Sequence, residues 1–142
     1  MKNRPNSICY DEAVYNSSGL TVSFDIANNF DLLSGISNHI DAHKQSVDAN
    51  KEVIQVQTIS LLDVLNNANA PSFIEYMSLD TEGSEFEILK NFDFSKYTFG
   101  LIDIEHNWVE PRRTEIKKLL LSKGYIYKGV NQLDDMYKHK SL

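Results

Sequence analysis

The sequence predicts an α/β domain, and three observations predict it. From residue 52 onward, apolar runs of strand length alternate with segments whose apolar residues recur at helical spacing. Short turns carrying Ser, Asn, Gly or Pro separate them. The order strand, helix, strand, helix, strand is that of parallel βαβ units, whose strands are covered on both faces and so lose strict alternation. At 142 residues the chain has the length of one domain with a real core, and it shows no internal repeat.

Taken in order, "SICYDEAVYNSSGLTVSF" reads as strands near residues 8–10, 13–15 and 20–24, with the Asn16–Gly19 stretch as a turn. Residues 25–52 are polar with little periodicity, and read as a long, partly mobile loop. "EVIQVQT" (52–58) reads as a half-buried strand. Ser60 suits the N-cap of a helix carrying Leu61, Leu62 and Leu65, with Asp63 in its first turn. Pro71 closes that region. "FIEYMSLD" is the next strand, and Phe86, Leu89 and Phe92 mark the helix after it. "YTFGLIDIEHN" is a further strand. Pro111 opens a helix whose face is Ile116, Leu119 and Leu120, and Gly124 stops it. "YIYKGV" and "DDMYKHKSL" are closing strands.

Composition narrows the function. A net charge of −6 with no basic stripe argues against nucleic-acid binding, which needs cations to replace phosphate counterions. No apolar run is long enough to span a bilayer, and the first residues lack a signal peptide's apolar core. The single cysteine, Cys9, excludes an internal disulfide framework and suits a reducing compartment; the expected location is cytoplasmic. Cys9 has no base nearby in sequence and reads as inert.

In an open parallel sheet, ligands sit beyond the carboxyl ends of the strands. Asp80 ends one predicted strand, and Glu105, His106 and Asn107 end the next, so adjacent strands bring these side chains to one crevice. Asp80, Glu82 and Gly83 admit two readings. They either cap a helix and make its turn, or they form a site in which Gly83 lets the backbone turn sharply or a ligand approach. The second polar cluster favours the site. Asp80, Glu105 and Asn107 offer hard oxygens of the kind that hold Mg²⁺ or Ca²⁺; the rival arrangement is a metal-free general base, Asp80 or His106. His39 and His43 have the spacing of a metal pair on one helix face, but they read more readily as solvated loop residues. Asp103 is an acid inside an apolar strand, and Trp108 either walls a pocket or packs.

These segments together resemble the FkbM-type S-adenosylmethionine-dependent methyltransferases. "VQTISLLDVL", "IEYMSLDTEGSEFEILKNFDF" and "FGLIDIEHN" are similar, in order, to that family's T-(L/I)-x-x-L segment, its aspartate-x-glutamate-glycine-(A/S)-glutamate motif and its I-E strand end. The likeness runs from about Thr58 to Tyr125, and "ICYDEAVYNSSGLTVSF" is similar to the family's third-strand region. Ser60 stands where the family often has an aspartate. The resemblance implies a class I methyltransferase (Rossmann-like) sheet and methyl transfer from S-adenosylmethionine to a hydroxyl of a small molecule or sugar. It places Asp80, Glu82, Glu105 and His106 at the catalytic, acceptor side, and Asp11, Glu12 and Asp80 toward the cofactor.

The six glycines (19, 35, 83, 100, 124 and 129) include no G-x-G pair for a cofactor-cradling turn. The expected sheet is therefore incomplete, lacking the first two strands, and the expected affinity of this chain alone for S-adenosylmethionine is weak or nil. Residues 1–142 then form a single partial methyltransferase domain. The alternative is a non-catalytic truncated relative that binds a partner or itself. Either way, strand 75–80 is expected to present an open edge, inviting a homodimer or a complementing N-terminal segment.

Overall fold

The computed structural model describes residues 5, 7–28, 33–40 and 43–142. Eight strands and four helices follow in the order β1 (Ala13–Tyr15), β2 (Thr21–Ala27), β3 (Gly35–Ile36), α1 (Lys44–Asp48), β4 (Lys51–Ser60), α2 (Leu61–Asn67), β5 (Phe73–Leu79), α3 (Glu85–Lys90), β6 (Thr98–Glu105), α4 (Arg112–Ser122), β7 (Tyr125–Asn131) and β8 (Asp134–His139). They build two mixed four-stranded sheets, ordered β1-β4-β2-β3 and β5-β6-β8-β7. The α/β class is as the sequence predicts.

In the second sheet β5 and β6 run parallel, joined through α3, while β8 pairs antiparallel with both β6 and β7. One face is packed. Ile102 and Ile104 of β6 and Tyr137 of β8 lie there against Ile88 and Leu89 of α3 and Ile116 and Leu120 of α4. Phe92, Tyr97 and Phe99 close the end of this core with tilted and stacked ring contacts. From the first sheet, Val14 of β1 packs on the same core, as do Leu61, Leu62 and Leu65 of α2. That contact joins the two halves. Burial of the large apolar side chains here contributes roughly 1.5–3 kcal/mol each before chain entropy is subtracted.

The other face of the second sheet departs from the expectation of strands covered on both sides. Tyr76, Leu101 and Ile126 are 51%, 44% and 50% exposed. Register places Tyr76 beside Leu101, with Lys138 opposite both Leu101 and Ile126. β6 accordingly alternates from Leu101 onward, where a doubly covered strand would not. Gly100 is required where it stands. A Cβ there would lie 2.8 Å from the Glu75 carbonyl oxygen and 2.7 Å from the Leu142 side chain.

The caps follow the sequence. Ser60 caps α2 by accepting the Asp63 N–H at 3.1 Å, while its hydroxyl donates to the Asp63 carboxylate at 2.9 Å. Gly124 follows α4 with φ +90°. Two expectations for the N-terminal third need correction. Residues 8–10 form no strand, since among the described residues no neighbour completes a ladder with them. Residues 25–52 are not one long loop. β2 extends to Ala27, β3 pairs with it, α1 follows, and β4 begins at Lys51 and runs antiparallel to β2 over seven residue pairs. The polar stretch conceals this because β2 and β4 form a hairpin-like pair wet on one side, held in part by Gln55–Ser23 and Gln57–Thr21 side-chain bonds. Buried Asp25 of β2 takes a hydrogen bond from Ser37 and an ion pair from Lys51 at 2.6 Å, which ties β2 to the turn after β3 and to the start of β4.

Candidate active site

The parallel pair β5–β6 ends at the register Leu79↔Ile104, and the next residues of the two strands are Asp80 and Glu105. With Glu82 they form a cluster in which one carboxylate oxygen from each residue lies within 4.8 Å of the others. Asp80 is exposed, Glu105 partly buried and Glu82 buried. Burial first, then the charges of Asp80 and Glu82, push the Glu105 carboxyl up to about 8. At neutral pH the cluster therefore retains a proton. Asp134, paired opposite Glu105 on β8, is raised in the same sense by burial and by Asp103 and Asp80.

The turn that carries Asp80 and Glu82 is organised from α3. Glu85, fully buried, accepts three hydrogen bonds at 3.0 Å: from the Thr81 N–H, the Thr81 hydroxyl and the Gly83 N–H. Its second oxygen faces the Arg112 Nε at 3.5 Å, and Arg112 also donates to the Gly83 carbonyl at 3.0 Å. Gly83 has φ +119°, and a Cβ there would sit 2.0 Å from the carbonyl oxygen of His39. The close approach that Gly83 permits is thus made by the chain's own segment 35–40. On that segment, Gly35 packs against the Glu82 Cβ and the Thr81 carbonyl oxygen. Glu82 itself is left-handed, with φ +54°, and so are Asn107 and Trp108 after β6, with φ +44° and +58°. Non-glycine residues in that region cost on the order of 1 kcal/mol or more each and concentrate at functional sites. Here they flank the carboxylates on both sides.

His106 is only 1% exposed and lies apart from this cluster. Its Nδ1 accepts the Trp108 N–H at 3.0 Å, so the remaining proton of the neutral ring is on Nε2, which faces the Asp135 carboxylate at 3.7 Å. Burial holds the imidazole below its usual range. Asp135 is bridged by Arg113 through two 2.8 Å bonds and receives the Tyr127 hydroxyl at 2.9 Å. Burial alone would raise Asp135, but these donors outweigh it and keep the group ionised. Arg113 also stacks over Trp108, 4.5 Å from the ring centre, which gives that exposed indole a structural partner. The network pins the turn that follows Glu105.

Other sequence candidates are placed as follows. Asn107 lies in the strained turn beyond Glu105, partly buried. Asp11 and Glu12 line an open groove along β4 with Gln55 and Gln57, whereas Ala13 and Val14 share a cavity with Asp80. Asp103 accepts the Tyr76 hydroxyl at 3.0 Å on the open sheet face. His39 and His43 do not share a helix face. His39 is in a turn, with its ring 2.8 Å from the Tyr15 hydroxyl, and His43 precedes α1. Cys9 is exposed. Sequence reading missed Arg112, Arg113 and Asp135, for no local pattern marks a salt bridge across 22 residues. Glu85 did carry a signal, since it lies four residues after Thr81 at a helix start.

The raised Glu105 has a consequence for stability. A carboxyl that titrates near 8 in the fold and near 4.5 in the unfolded chain makes the native state bind more protons between those values, so stability falls as pH rises through that window. Glu105→Gln should remove this fall. Its melting temperature is expected to match the wild type at about pH 5 and to exceed it at about pH 8.5. Differential scanning at both pH values checks this, and equal curves at pH 8.5 would count against a shared proton.

An α/β domain with an acidic crevice at the carboxyl ends of adjacent parallel strands is an architecture suited to chemistry on a small bound molecule. The comparison with protein families is specific: a family model described as Methyltransferase FkbM domain matches residues 2–127. The chain belongs to the FkbM methyltransferase family. Neither the curated proteins nor the solved structures include a match to it. No helix among the described residues is long and apolar enough to cross a membrane.

Proposed function

We propose that this chain supplies the acceptor side of an S-adenosylmethionine-dependent O-methyltransferase, with the Asp80–Glu105 pair taking the proton from an acceptor hydroxyl. The observation that carries the reading is the close carboxylate pair at the two strand ends, with one oxygen of each within 4.8 Å of the other. A carboxyl that keeps its proton to about 8 is, once ionised, a far stronger base than a solvated one. Separated environments for two neighbouring carboxyls are the usual way to obtain such a base near neutral pH. His106 is better assigned to holding the turn, because it is buried, its Nδ1 accepts the Trp108 N–H, and its Nε2 faces Asp135 at 3.7 Å with no hydrogen-bond partner among the described residues. Glu82 adds negative charge beside the pair and Glu85 fixes the turn. Family membership supports methyl transfer. In this reading the second sheet corresponds to the later strands of a class I, Rossmann-like sheet, and β5 is its fourth strand. The exposed thiol of Cys9 suits a reducing, cytoplasmic setting.

The described residues do not by themselves fit S-adenosylmethionine. No two glycines form a G-x-G turn on the methionine or ribose side, and Asp11 and Glu12 line an open groove separate from Asp80's cavity. We therefore assign to this chain only the handling of the acceptor and its proton. The three carboxylates do fit a divalent cation such as Mg²⁺. Asp80, Glu82 and Glu105 would hold it, with Asn107 nearby in sequence, and its charge would acidify a bound hydroxyl.

Carboxyl-carbon NMR titration tests the reading. Glu105 is expected to titrate near 8 in the wild type and markedly lower in Asp80→Asn. A Glu105 that titrates in the ordinary carboxylate range without metal would sink the proton-sharing pair. Repeating the titration in Mg²⁺ separates the two arrangements. A large downward displacement supports the cation, and an unchanged curve supports the metal-free base.

A further inference from the structure

Asp80 also forms part of the rim of a cavity of about 200 Å³ that lies between the two sheets. Its walls are Val14 of β1, Phe24 of β2 and Ile36 of β3, and its polar groups come from Ser34 and from Asp80, Thr81 and Ser84 of the turn. The apolar part belongs to one sheet and most of the polar part to the other. The segment that carries Ile36 is pressed onto the turn by the glycine contacts at residues 35 and 83, where a Cβ would lie 3.1 Å from the Glu82 Cβ and 2.0 Å from the His39 oxygen respectively. The wall is therefore fixed relative to Asp80. Ile36 is nearly fully buried and Ser34 accepts the Ala27 N–H, so the lining is ordered from both ends.

From this we infer that the cavity is the acceptor pocket, and that it selects a compact alcohol or phenol with an apolar body and a single hydroxyl directed at Asp80. The inference rests on the reading of the Asp80–Glu105 pair as proton acceptor and deepens it by naming the substrate class. Volume and lining both bear on the class. The space holds about seven water-sized groups, close to one phenol ring with its oxygen. Drug-sized ligands occupy pockets of roughly 300–1,000 Å³. A sugar or polyol of the same size would turn several hydroxyls onto Val14, Phe24 and Ile36, because the Ser34, Thr81 and Ser84 hydroxyls are already engaged with the Ala27 N–H, the Glu85 carboxylate and the Thr81 hydroxyl respectively. Each hydroxyl left without a partner there costs on the order of 1–3 kcal/mol, enough to reject the polyol by tenfold or more. An alcohol with an apolar body places its one polar group against the carboxylate and its ring against the apolar wall.

The test uses the 142-residue chain and three probes: phenol, cyclohexanol and erythritol. Phenol and cyclohexanol are expected to bind with dissociation constants of about 1 mM, and erythritol at least tenfold more weakly. Methyl resonances of Val14 and Ile36 should move on addition of phenol, a readout that needs no variant. Ile36→Trp, which fills the space, should weaken phenol at least tenfold while circular dichroism shows the fold retained. Erythritol binding as tightly as phenol, or phenol binding that leaves the Val14 and Ile36 methyls unmoved, overturns the pocket. The proton reading is judged separately by the Glu105 titration. Phenol bound at these methyls with an ordinary Glu105 titration refutes the base and leaves the pocket, whereas a raised Glu105 with no phenol binding refutes the pocket and leaves the base.

Discussion

Gly83→Ala is expected to lower the melting temperature by about 10 °C and to dislodge the segment 35–40 from the Asp80–Glu82 turn. Two costs add at this position. The backbone sits at φ +119°, a conformation that an L side chain adopts only with strain of roughly 1–2 kcal/mol. The new Cβ would also lie 2.0 Å from the His39 carbonyl oxygen, so either the turn or the segment must move. The combined loss is on the order of 3 kcal/mol or more. Gly129 supplies an internal control. Its φ is +126°, nearly the same, yet a Cβ there meets nothing within 4 Å. Gly129→Ala should therefore show the strain alone, with about half the loss in melting temperature. Thermal melts of the two variants side by side decide the matter. Equal losses would mean that the contact with His39 does not hold the segment. A larger loss at Gly83, accompanied by a fall in the Glu105 titration point, would show that this contact also shapes the carboxylate cluster.

The second large effect concerns association. We expect the 142-residue chain, purified alone, to self-associate at micromolar concentration rather than to run as a monomer. β5 is the terminal strand of its sheet, and among the described residues no strand pairs with its outer edge. It is seven residues long and mostly apolar, Phe73 is exposed at its start, and the adjoining open face exposes Tyr76 and Leu101. Long, flat, apolar edges template pairing with another chain unless charge, proline or a covering element blunts them. Glu75 is the single charged residue in this strand. Tyr76→Lys adds a second charge, at the cost of one hydrogen bond to Asp103, and should raise the monomer fraction severalfold. Sedimentation velocity across a concentration series reads both outcomes. A monodisperse wild-type monomer with slow amide exchange along residues 76–79 would show the edge to be protected, and the expectation would fail.

Much of the fold's second half was legible before any coordinates. Strand, helix and turn signals from Ser60 to Gly124 depend on near neighbours: a hydroxyl that reaches the N–H three residues on, apolar residues three and four apart, a glycine at a helix stop. Ser60, Leu89, Ile116 and Gly124 all take the positions such rules give them. The family is legible for a related reason, because the D-T-E-G-S-E run and the I-E strand end are contiguous in the chain. That Asp80 and Glu105 end neighbouring strands follows from the βαβ order alone.

What sequence left open are the relations between residues far apart in the chain. The polar stretch 25–52 gives little local sign of β3, or of the seven-pair register between β2 and β4, because such strands are specified by cross-strand partners and not by their own pattern. The same limit hid the Arg113–Asp135 bridge, the turn of the His106 ring away from the crevice, and the identity of the group that crowds Gly83. Residue type alone fixed that an acid stands at each strand end. The proton held near 8 at Glu105 was decided only in three dimensions, because desolvation and the charges of Asp80 and Glu82 depend on distance and burial, quantities that no stretch of sequence contains.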